Sequence, residues 1–529
     1  MSIDRFVYDH WTRIDKRNLR LFLLIFILGI VANLSLIIHS INNPDGILAG
    51  NYITGYAWDI SLGRWGFVPF YMLNGGVVLP ALTTIVSIFV FSVAIVLILQ
   101  IIPMQSWFLK GITGGILIAF PSFTQHMTYF YIAEAYASSF LIAVLAAYIL
   151  DKKIISKKVI RYVTVVILLT FSMSIFQSMI GVTVALWLCI LLIDSLSHTI
   201  EDVMKKVVEF VLVGICSLGC YFISIRVVCA LTGNVLSDYR GISESSSVGL
   251  LEMLSAIPNL YKTFFKFYFT DMYYPYTQWG MHVLFAILFI IFIIVEVIWC
   301  MQYVYHNRSF AGTMKVVMRI IFIAIIPLIF TAIGLLAVNT SIDFKMLPQM
   351  MVLIALVIYR LECIHLPKLH LTKQFIIAGI GCILIGGQVL ICNAICEGML
   401  LKYNAAMSLS NRILTALDSY EGYNSTIPVA ILGNPQDENW LYINGDYFEK
   451  INADTVNWGQ FWSSEYNTTQ RSWSQFFNLY HGINLNMVDD ATAQKIVNSQ
   501  QFKNMSVFPE KNSIKMIGDV LTVKISDFK

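Results

Sequence analysis

Residues 42–76 read NNPDGILAGNYITGYAWDISLGRWGFVPFYMLNGG, a largely polar stretch between two apolar segments. Each flanking segment is long enough to cross a hydrocarbon core of about 30 Å. The stretch itself carries Asp45, Asp59 and Arg64 among seven glycines. Placing ionisable side chains so close to two membrane spans costs free energy, so their presence predicts a site of chemistry at a membrane face.

The composition extends this interpretation to most of the chain. Of 529 residues, 57% are hydrophobic and 13% are charged, whereas about a quarter of the residues are charged in an average soluble domain. The sequence therefore predicts an α-helical polytopic membrane protein. The formal net charge is only +3 and no basic tract occurs, so nucleic acid is not expected as a partner.

Runs of about 20 apolar residues predict eleven transmembrane helices. The closely spaced pairs at 107–150 and 159–194 predict tight hairpins. The predicted spans cover residues 19–41, 77–102, 107–124, 127–150, 159–176, 178–194, 206–231, 280–303, 314–338, 346–361 and 374–399.

Lysine and arginine favour the cytoplasmic side of a membrane, and their distribution orients these spans. With the N-terminus inside, the inner segments hold 19 of them, and the outer loops before residue 400 hold five. The prediction is an N-terminus in the cytoplasm and a C-terminus outside it.

The predicted organisation has two domains. Residues 1–400 form a membrane domain, with a first outer loop at 42–76 and a second large one at 232–279. Aromatic residues in the second loop, at 259–279, predict an amphipathic helix at the membrane interface. Residues 401–529 have the composition of a soluble unit and predict a small extracytoplasmic α/β domain.

Two patterns predict strands in that domain. The run TIPVAILGNP, at 426–435, is apolar and ends with glycine and proline, which is typical of a buried strand. The run SIKMIGDVLTVKI, at 513–525, predicts two short strands around a Gly-Asp turn.

Ionisable residues inside the predicted spans cluster toward the outer side. Glu134 and Arg226 lie near the outer ends of their helices, and His126 lies at the tip of a hairpin. Histidine in such a place is more often a packed structural residue than a ligand. Glu296 is the exception, near an inner end, where we expect its side chain to reach the cytoplasmic surface.

The sequence contains neither a G-x-x-x-x-G-K-[ST] phosphate loop nor a G-x-G-x-x-G turn, which argues against a nucleotide cofactor. A lipid-linked donor would instead supply the energy for a transfer reaction. In sugar transfer from a polyprenyl phosphate, a carboxylate accepts the proton of the attacking hydroxyl, and positive charge stabilises the leaving phosphate. Asp45 is the candidate base, and Arg64, Arg226 and Arg240 are candidate phosphate partners.

Each of these residues also has an ordinary explanation. The NNPDG sequence around Asp45 is typical of a turn. Asp59 and Arg64 are five residues apart in a predicted short helix, where they could form a surface pair. Glu134 and Arg226 could form a structural ion pair inside the membrane.

Three stretches resemble the Gtr-type family of serotype-converting membrane glucosyltransferases, which modify bacterial O-antigens. They are GYAWDISLGRW at 55–65, PSFTQHMTYFYIAEAYASSFLIAVLAAYIL at 121–150 and SVFPEKNSIKMIGDVLTVKIS at 506–526. The resemblance consists of layout and short patterns over most of the chain. It places the chain in the wider class of multi-span, polyprenyl-phosphate-dependent transferases (GT-C).

For the site, the resemblance implies that Asp45 is the base, and Arg64 matches the Gly-Arg element of the family. Separately from the resemblance, His126 is a further candidate for binding the donor. The family often has two neighbouring acids where this sequence has Asp45 alone, so Asp59 or Glu134 could supply a second carboxylate. A single acid argues against a bound metal.

The implied activity is inverting transfer of a hexose, glucose by resemblance, from undecaprenyl phosphate to a cell-surface glycan. The reaction is expected at the outer face of the bacterial cytoplasmic membrane. No cofactor is expected. A donor synthase and a flippase are further implied partners.

Two alternatives remain. A transporter or flippase of lipid-linked saccharides predicts ionisable residues near the membrane midplane and symmetry between halves. A polysaccharide-polymerase component is the second.

Overall fold

A computed structural model describes most of the chain. The described residues are 15–53, 55–238, 249–270, 280–335, 338, 342–364, 370–434, 463–464 and 467–527. Arg240 and the polar run GISESSS of the second predicted outer loop lie outside them.

The first membrane segment is a broken helix. Helix α1 (Lys16–Ala32) and helix α2 (Leu34–His39) meet at Asn33. The stretch Leu34–Ala49, which begins with α2, is bent by 64° from α1. The Asn33 side chain donates to the carbonyl of Gly29 at 3.0 Å and accepts from the Thr124 hydroxyl at 2.6 Å. The buried side chain of Asn33 therefore has hydrogen-bond partners both in α1 and in the distant segment that holds Thr124, which stabilises the break.

The stretch 42–76 folds into short helices. Helix α3 (Pro44–Ala49) begins after Asn43, whose side chain accepts from the backbone N–H of Gly46 at 2.8 Å, an N-cap with proline at the first helical position. Further elements are helix α4 (Ala57–Ser61), a 3₁₀ turn (Trp65–Phe67) and helix α5 (Val68–Leu73).

Among the described residues, seven helices are long and apolar enough to cross a membrane, and α1 together with the bent stretch Leu34–Ala49 gives an eighth. These seven are α6 (Pro80–Ile101), α9 (Ala133–Lys152), α10 (Lys158–Ile175), α11 (Ile180–Asp194, with the turn Gln177–Met179 before it), α12 (Ile200–Thr232), α14 (Met281–His306) and α18 (His370–Asp418). A membrane protein is confirmed, whereas the count of eleven spans is not.

The difference lies in three predicted spans that are shorter or interrupted in the structure. Residues 107–124 form α7 (Trp107–Ile118) and α8 (Pro121–Met127), separated by a break before Pro121. Residues 314–338 hold most of α15 (Phe310–Ala324), followed by α16 (Ile326–Phe330), and residues 346–361 hold most of α17 (Met350–Cys363). Helices of 12 to 15 residues extend only about 18–23 Å, less than a hydrocarbon core.

Helix α13 (Leu250–Phe269) covers the start of the aromatic run in the second predicted outer loop. Its face with Phe264, Phe267 and Tyr268 is buried, and the Tyr268 hydroxyl donates to the carbonyl of Met350 at 2.6 Å. This face is therefore part of the helical core.

Helix α18 joins the membrane part to the C-terminal part without interruption. It has 49 residues, which at 1.5 Å per residue gives a length of about 74 Å, more than twice a hydrocarbon core. The boundary expected at 400/401 lies inside this helix.

The C-terminal part contains the predicted strands. Strand β1 (Val429–Leu432) pairs in parallel with β5 (Val520–Lys524), which pairs antiparallel with β4 (Ile514–Ile517). The turn between β4 and β5 contains Gly518, with φ +61°. Two short strands, β2 (Ser463–Ser464) and β3 (Asn467–Thr468), form a separate pair. The remaining helices are α19 (Gln470–Phe476), which continues into a π turn (Phe477–His481), α20 (Asp490–Val497) and α21 (Gln500–Lys503).

The expectation that Glu296 reaches the cytoplasmic surface is wrong. Its side chain is 0% exposed and accepts from Arg319 Nε at 2.6 Å, with Arg360 Nε at 3.0 Å. Both arginines also donate to the carbonyl of Leu192 near the end of α11. A buried ion-pair network, rather than solvent, therefore compensates this carboxylate.

Candidate active site

Asp45 lies in the first turn of α3, at the end of the bent first segment. Two hydrogen bonds fix the start of this helix: the Asn43 cap on Gly46, and the Asn43 amide donating to the Thr128 hydroxyl at 3.2 Å. The NNPDG sequence therefore begins a helix here. Its capping residue binds the segment that leads into α9.

Two tyrosines of that segment lie within electrostatic reach of Asp45. Burial raises the pKa of Tyr129 and of Tyr131 well above the ordinary value, and the negative charge of Asp45 raises both further. Asp59 raises the pKa of Tyr131 in the same sense, and Arg64 lowers it. The three charged residues of the first loop are therefore all within electrostatic reach of one phenol.

A lysine from a distant part of the chain also contacts Tyr129. Lys345 Nζ donates to the Tyr129 hydroxyl at 2.5 Å and lies 4.5 Å from the centroid of that ring. Asp343, two residues before Lys345, also acts electrostatically on Tyr129. The carboxylates of Asp45 and Asp343 and the ammonium group of Lys345 thus all act on Tyr129, so a positive charge and candidate proton acceptors occur together here.

Asp59 is buried in α4 and accepts from the Tyr71 hydroxyl at 3.0 Å. Burial raises the pKa of Asp59 to about 6, although the Tyr71 hydrogen bond and the charge of Arg64 both lower it. The ordinary explanation of Asp59 as a surface residue is wrong, because its carboxylate is enclosed by the folded loop.

Arg64 lies beside the same loop, with its guanidinium 5.3 Å from the centroid of the Phe176 ring. Its Nε is buried and has no hydrogen-bond partner among the described residues. The backbone around it is held from two sides, since Gln177 donates to the carbonyl of Leu62 at 2.8 Å and Tyr221 to that of Gly63 at 3.2 Å. The positive charge is thus fixed close to Asp59.

Glu134 and Arg226 do not pair with each other in the described structure. Glu134, in the first turn of α9, accepts from Asn74 at 3.1 Å, so it faces the first loop. Arg226 is exposed on α12, and Arg240 lies outside the described residues. The structure brings Glu134 to the loop and leaves Arg226 on the helix surface.

His126 is packed among aromatic rings. Its ring centroid lies 4.9 Å from that of Tyr136 and 5.5 Å from that of Phe176. Burial, and to a lesser extent the charge of Lys345, lowers the pKa of His126 to about 3, so the imidazole is neutral near pH 7. A neutral ring provides no positive charge for a phosphate.

Residues 34–359 contain every element of this site, and they match a family described as glucosyl transferase GtrII. The match covers more than half of the chain. The chain belongs to this family. The resemblance noted from the sequence is therefore confirmed, and GtrII membership supports a glycosyltransferase that modifies cell-surface glycans. No curated protein and no solved structure matches the chain.

Within this GtrII-family glucosyltransferase, the sequence alone does not single out Lys345, Tyr129 or Tyr131 as site residues. Lys345 follows Tyr129 by 216 positions, and no local pattern connects the two residues. The sequence contained one signal, since Lys345 is among the few basic residues assigned to an outer loop. The expectation that no metal takes part stays a prediction.

Proposed function

We propose that this GtrII-family protein is an inverting glycosyltransferase that moves glucose from a polyprenyl-phosphate carrier to a cell-surface glycan. The reaction takes place at the outer face of the bacterial cytoplasmic membrane. The observation that carries the proposal is that Asp45 and Lys345 both act on Tyr129, at the end of the bent first membrane segment. This arrangement supports binding of a phosphate headgroup whose lipid chain remains in the bilayer.

In the proposed step, a hydroxyl of the acceptor glycan attacks the anomeric carbon of the donor. Asp45 accepts the hydroxyl proton as the new C–O bond forms. The bond from the anomeric carbon to the phosphate oxygen breaks, and its electron pair stays on the polyprenyl phosphate. Attack on the face opposite the leaving group inverts the anomeric configuration.

The leaving phosphate gains negative charge during this step, so fixed positive charge near it lowers the barrier. Lys345 and Arg64 are the cations that the site geometry favours for this role. Arg226, on the exposed surface of α12, and His126, with a neutral ring, are less suited to it. Asp59, enclosed and bonded to Tyr71, supports the loop.

The test uses the full-length protein in lipid vesicles with radiolabelled polyprenyl-phosphate glucose and an acceptor glycan. For Asp45→Asn we expect the rate of release of polyprenyl phosphate to fall by about 10²- to 10⁴-fold. The matched control is Asp519→Asn, an exposed aspartate in the β4–β5 turn, which should keep the full rate. Full activity of Asp45→Asn would remove this residue from the reaction.

The assignment to the outer face has its own test. Leu73 is 84% exposed at the end of α5, so a Leu73→Cys variant presents a thiol on the loop that holds Asp45. A membrane-impermeant maleimide added to intact spheroplasts should label this variant above the background of the parent protein. Labelling only after the membrane is opened would reverse the orientation.

A further inference from the structure

Helix α3 belongs to two packed regions at once. Its beginning is bound to the membrane part through Asn43 and Thr128. Ile47, in the middle of the helix, is 0% exposed and belongs to the main hydrophobic cluster of the C-terminal part. The helix that carries Asp45 is therefore held from two directions.

The cluster around Ile47 comes from three parts of the chain beyond residue 400. Leu409, Ile413 and Leu417 line one face of α18, and Val429, Leu521 and Val523 come from the sheet. Trp473, Phe476 and Phe477, which are all 0% exposed, come from α19 and the turn after it. Helix α19 contacts α3 directly.

The end of α3 at Gly50 also lies close to α19. Gly50 ends α3 with φ +74°, and a Cβ built on it would lie 3.5 Å from Gln475 Oε1 on α19. On the other side of the cluster, the Ser410 hydroxyl and His481 Nε2 are 2.7 Å apart, so α18 also binds the turn after α19. Helix α19 is thus fixed between α18 and α3.

We infer that the C-terminal part positions the catalytic aspartate, with Ile47, Trp473 and Phe476 as the positioning residues that hold α3. This inference rests on the proposed role of Asp45. A helix of six residues has too few internal hydrogen bonds to keep its own position, so packing must provide it. The cores that hold it are a membrane bundle and the C-terminal sheet.

The effect on catalysis follows from geometry. A general base must lie within hydrogen-bond reach of the proton it accepts, and small displacements of a reacting group are costly. Loss of the Ile47 contact would therefore reduce kcat and leave the KM for the lipid-linked donor nearly unchanged, because Lys345 and Arg64 belong to other elements.

The experiment compares Phe476→Ala with Phe502→Ala in the full-length protein. Both phenylalanines are buried in the C-terminal part, but Phe502 belongs to a separate cluster with Ala493, Ile496 and Ile517. We expect Phe476→Ala to lower kcat about 10- to 100-fold with donor KM within about twofold, and Phe502→Ala to keep the parent kcat. Phe476→Leu, which restores most of the apolar volume, should recover most of the rate. If Phe476→Ala does not fold, Ile47→Val and Ile47→Ala replace it as a graded pair.

Hydrogen exchange provides a readout that does not depend on the reaction. The amides of α3 should exchange faster in Phe476→Ala than in Phe502→Ala, since only Phe476 belongs to the hydrophobic cluster that contains Ile47. Equal exchange, or equal kcat in the two variants, would overturn the inference. If Asp45→Asn is inactive while Phe476→Ala keeps its kcat, only the positioning role fails. If Asp45→Asn is fully active, the proposed base fails whatever the exchange result.

Discussion

The side chain of Asn393 on α18 accepts a hydrogen bond from the backbone N–H of Ser35 at 3.1 Å. It also donates to the carbonyl of Ala32 at 3.1 Å, so one amide satisfies backbone groups on both sides of the break in the first membrane segment. Helix ends leave such groups without partners inside the helix. Helix α18, the longest described helix, thus supplies hydrogen-bond partners for backbone groups at the end of α1 and the start of α2.

Asn393→Ala should destabilise the protein by about 1–3 kcal/mol, because it leaves an N–H and a carbonyl without partners in an apolar environment. Thermal unfolding in detergent measures this as a lower midpoint temperature. Asn411→Ala is the control, since Asn411 is exposed on the same helix. Equal midpoints for the two variants would contradict the role of Asn393 at the break.

Glu296→Gln should destabilise the protein by about 3–5 kcal/mol, because Arg319 and Arg360 then lie buried without a negative charge. The measurement is again the midpoint of thermal unfolding, with the exposed Glu421→Gln as the control. A midpoint as high as that of the control would show that the Leu192 carbonyl and Ser195, which also accept from Arg319, are sufficient partners.

Asp59→Asn should stabilise the protein at neutral pH and change little at about pH 4. The pKa of Asp59 rises from 3.8 to about 6 on folding, so between these values the folded state holds a proton that the unfolded chain has lost. The free energy of unfolding therefore falls as pH rises through this window. Asparagine removes this penalty and can still accept from Tyr71.

Unfolding midpoints of wild type and Asp59→Asn across the range from pH 4 to pH 8 check this. The difference between them should grow with pH and level off above about pH 6, where the carboxylate is ionised in both states. Asp519→Asn, at an exposed position, should show no such trend. A constant difference at all pH values would mean that Asp59 does not titrate in this window.

Lys345→Met should raise the KM for the lipid-linked donor about 10- to 100-fold, the loss expected for one hydrogen bond to a charged group. Methionine retains most of the aliphatic volume, so packing on Tyr129 changes little. Lys515→Met, at an exposed position on β4, should keep the parent KM. An unchanged KM for Lys345→Met would assign the phosphate to Arg64 instead.

The sequence predicted those features that depend on neighbouring residues. Strand β1 and the hairpin around Gly518 were predicted from short apolar runs and turn residues, and the structure confirms them. The broken span at Asn33 was missed, because its partners Thr124 and Asn393 are distant in the chain.

The candidate site shows the same difference between residues that are close in the sequence and residues that are distant. Asp45, Asp59 and Arg64 are recognisable because they lie in one polar stretch, and in the structure all three act electrostatically on Tyr131. Lys345 has no local signal that connects it to Tyr129. For Glu296, the sequence showed only a carboxylate near a helix end, and nothing in it indicated that Arg319 and Arg360 meet that carboxylate.

The uninterrupted course of α18 means that this helix contains no hinge between the bilayer-embedded bundle and the sheet beyond it. A protease cut or a stop codon near residue 400 would interrupt this continuous helix and remove the side chains that cover Ile47, so apolar surface would be exposed. Truncated forms would therefore aggregate, and isolating the catalytic machinery requires both halves to be made together.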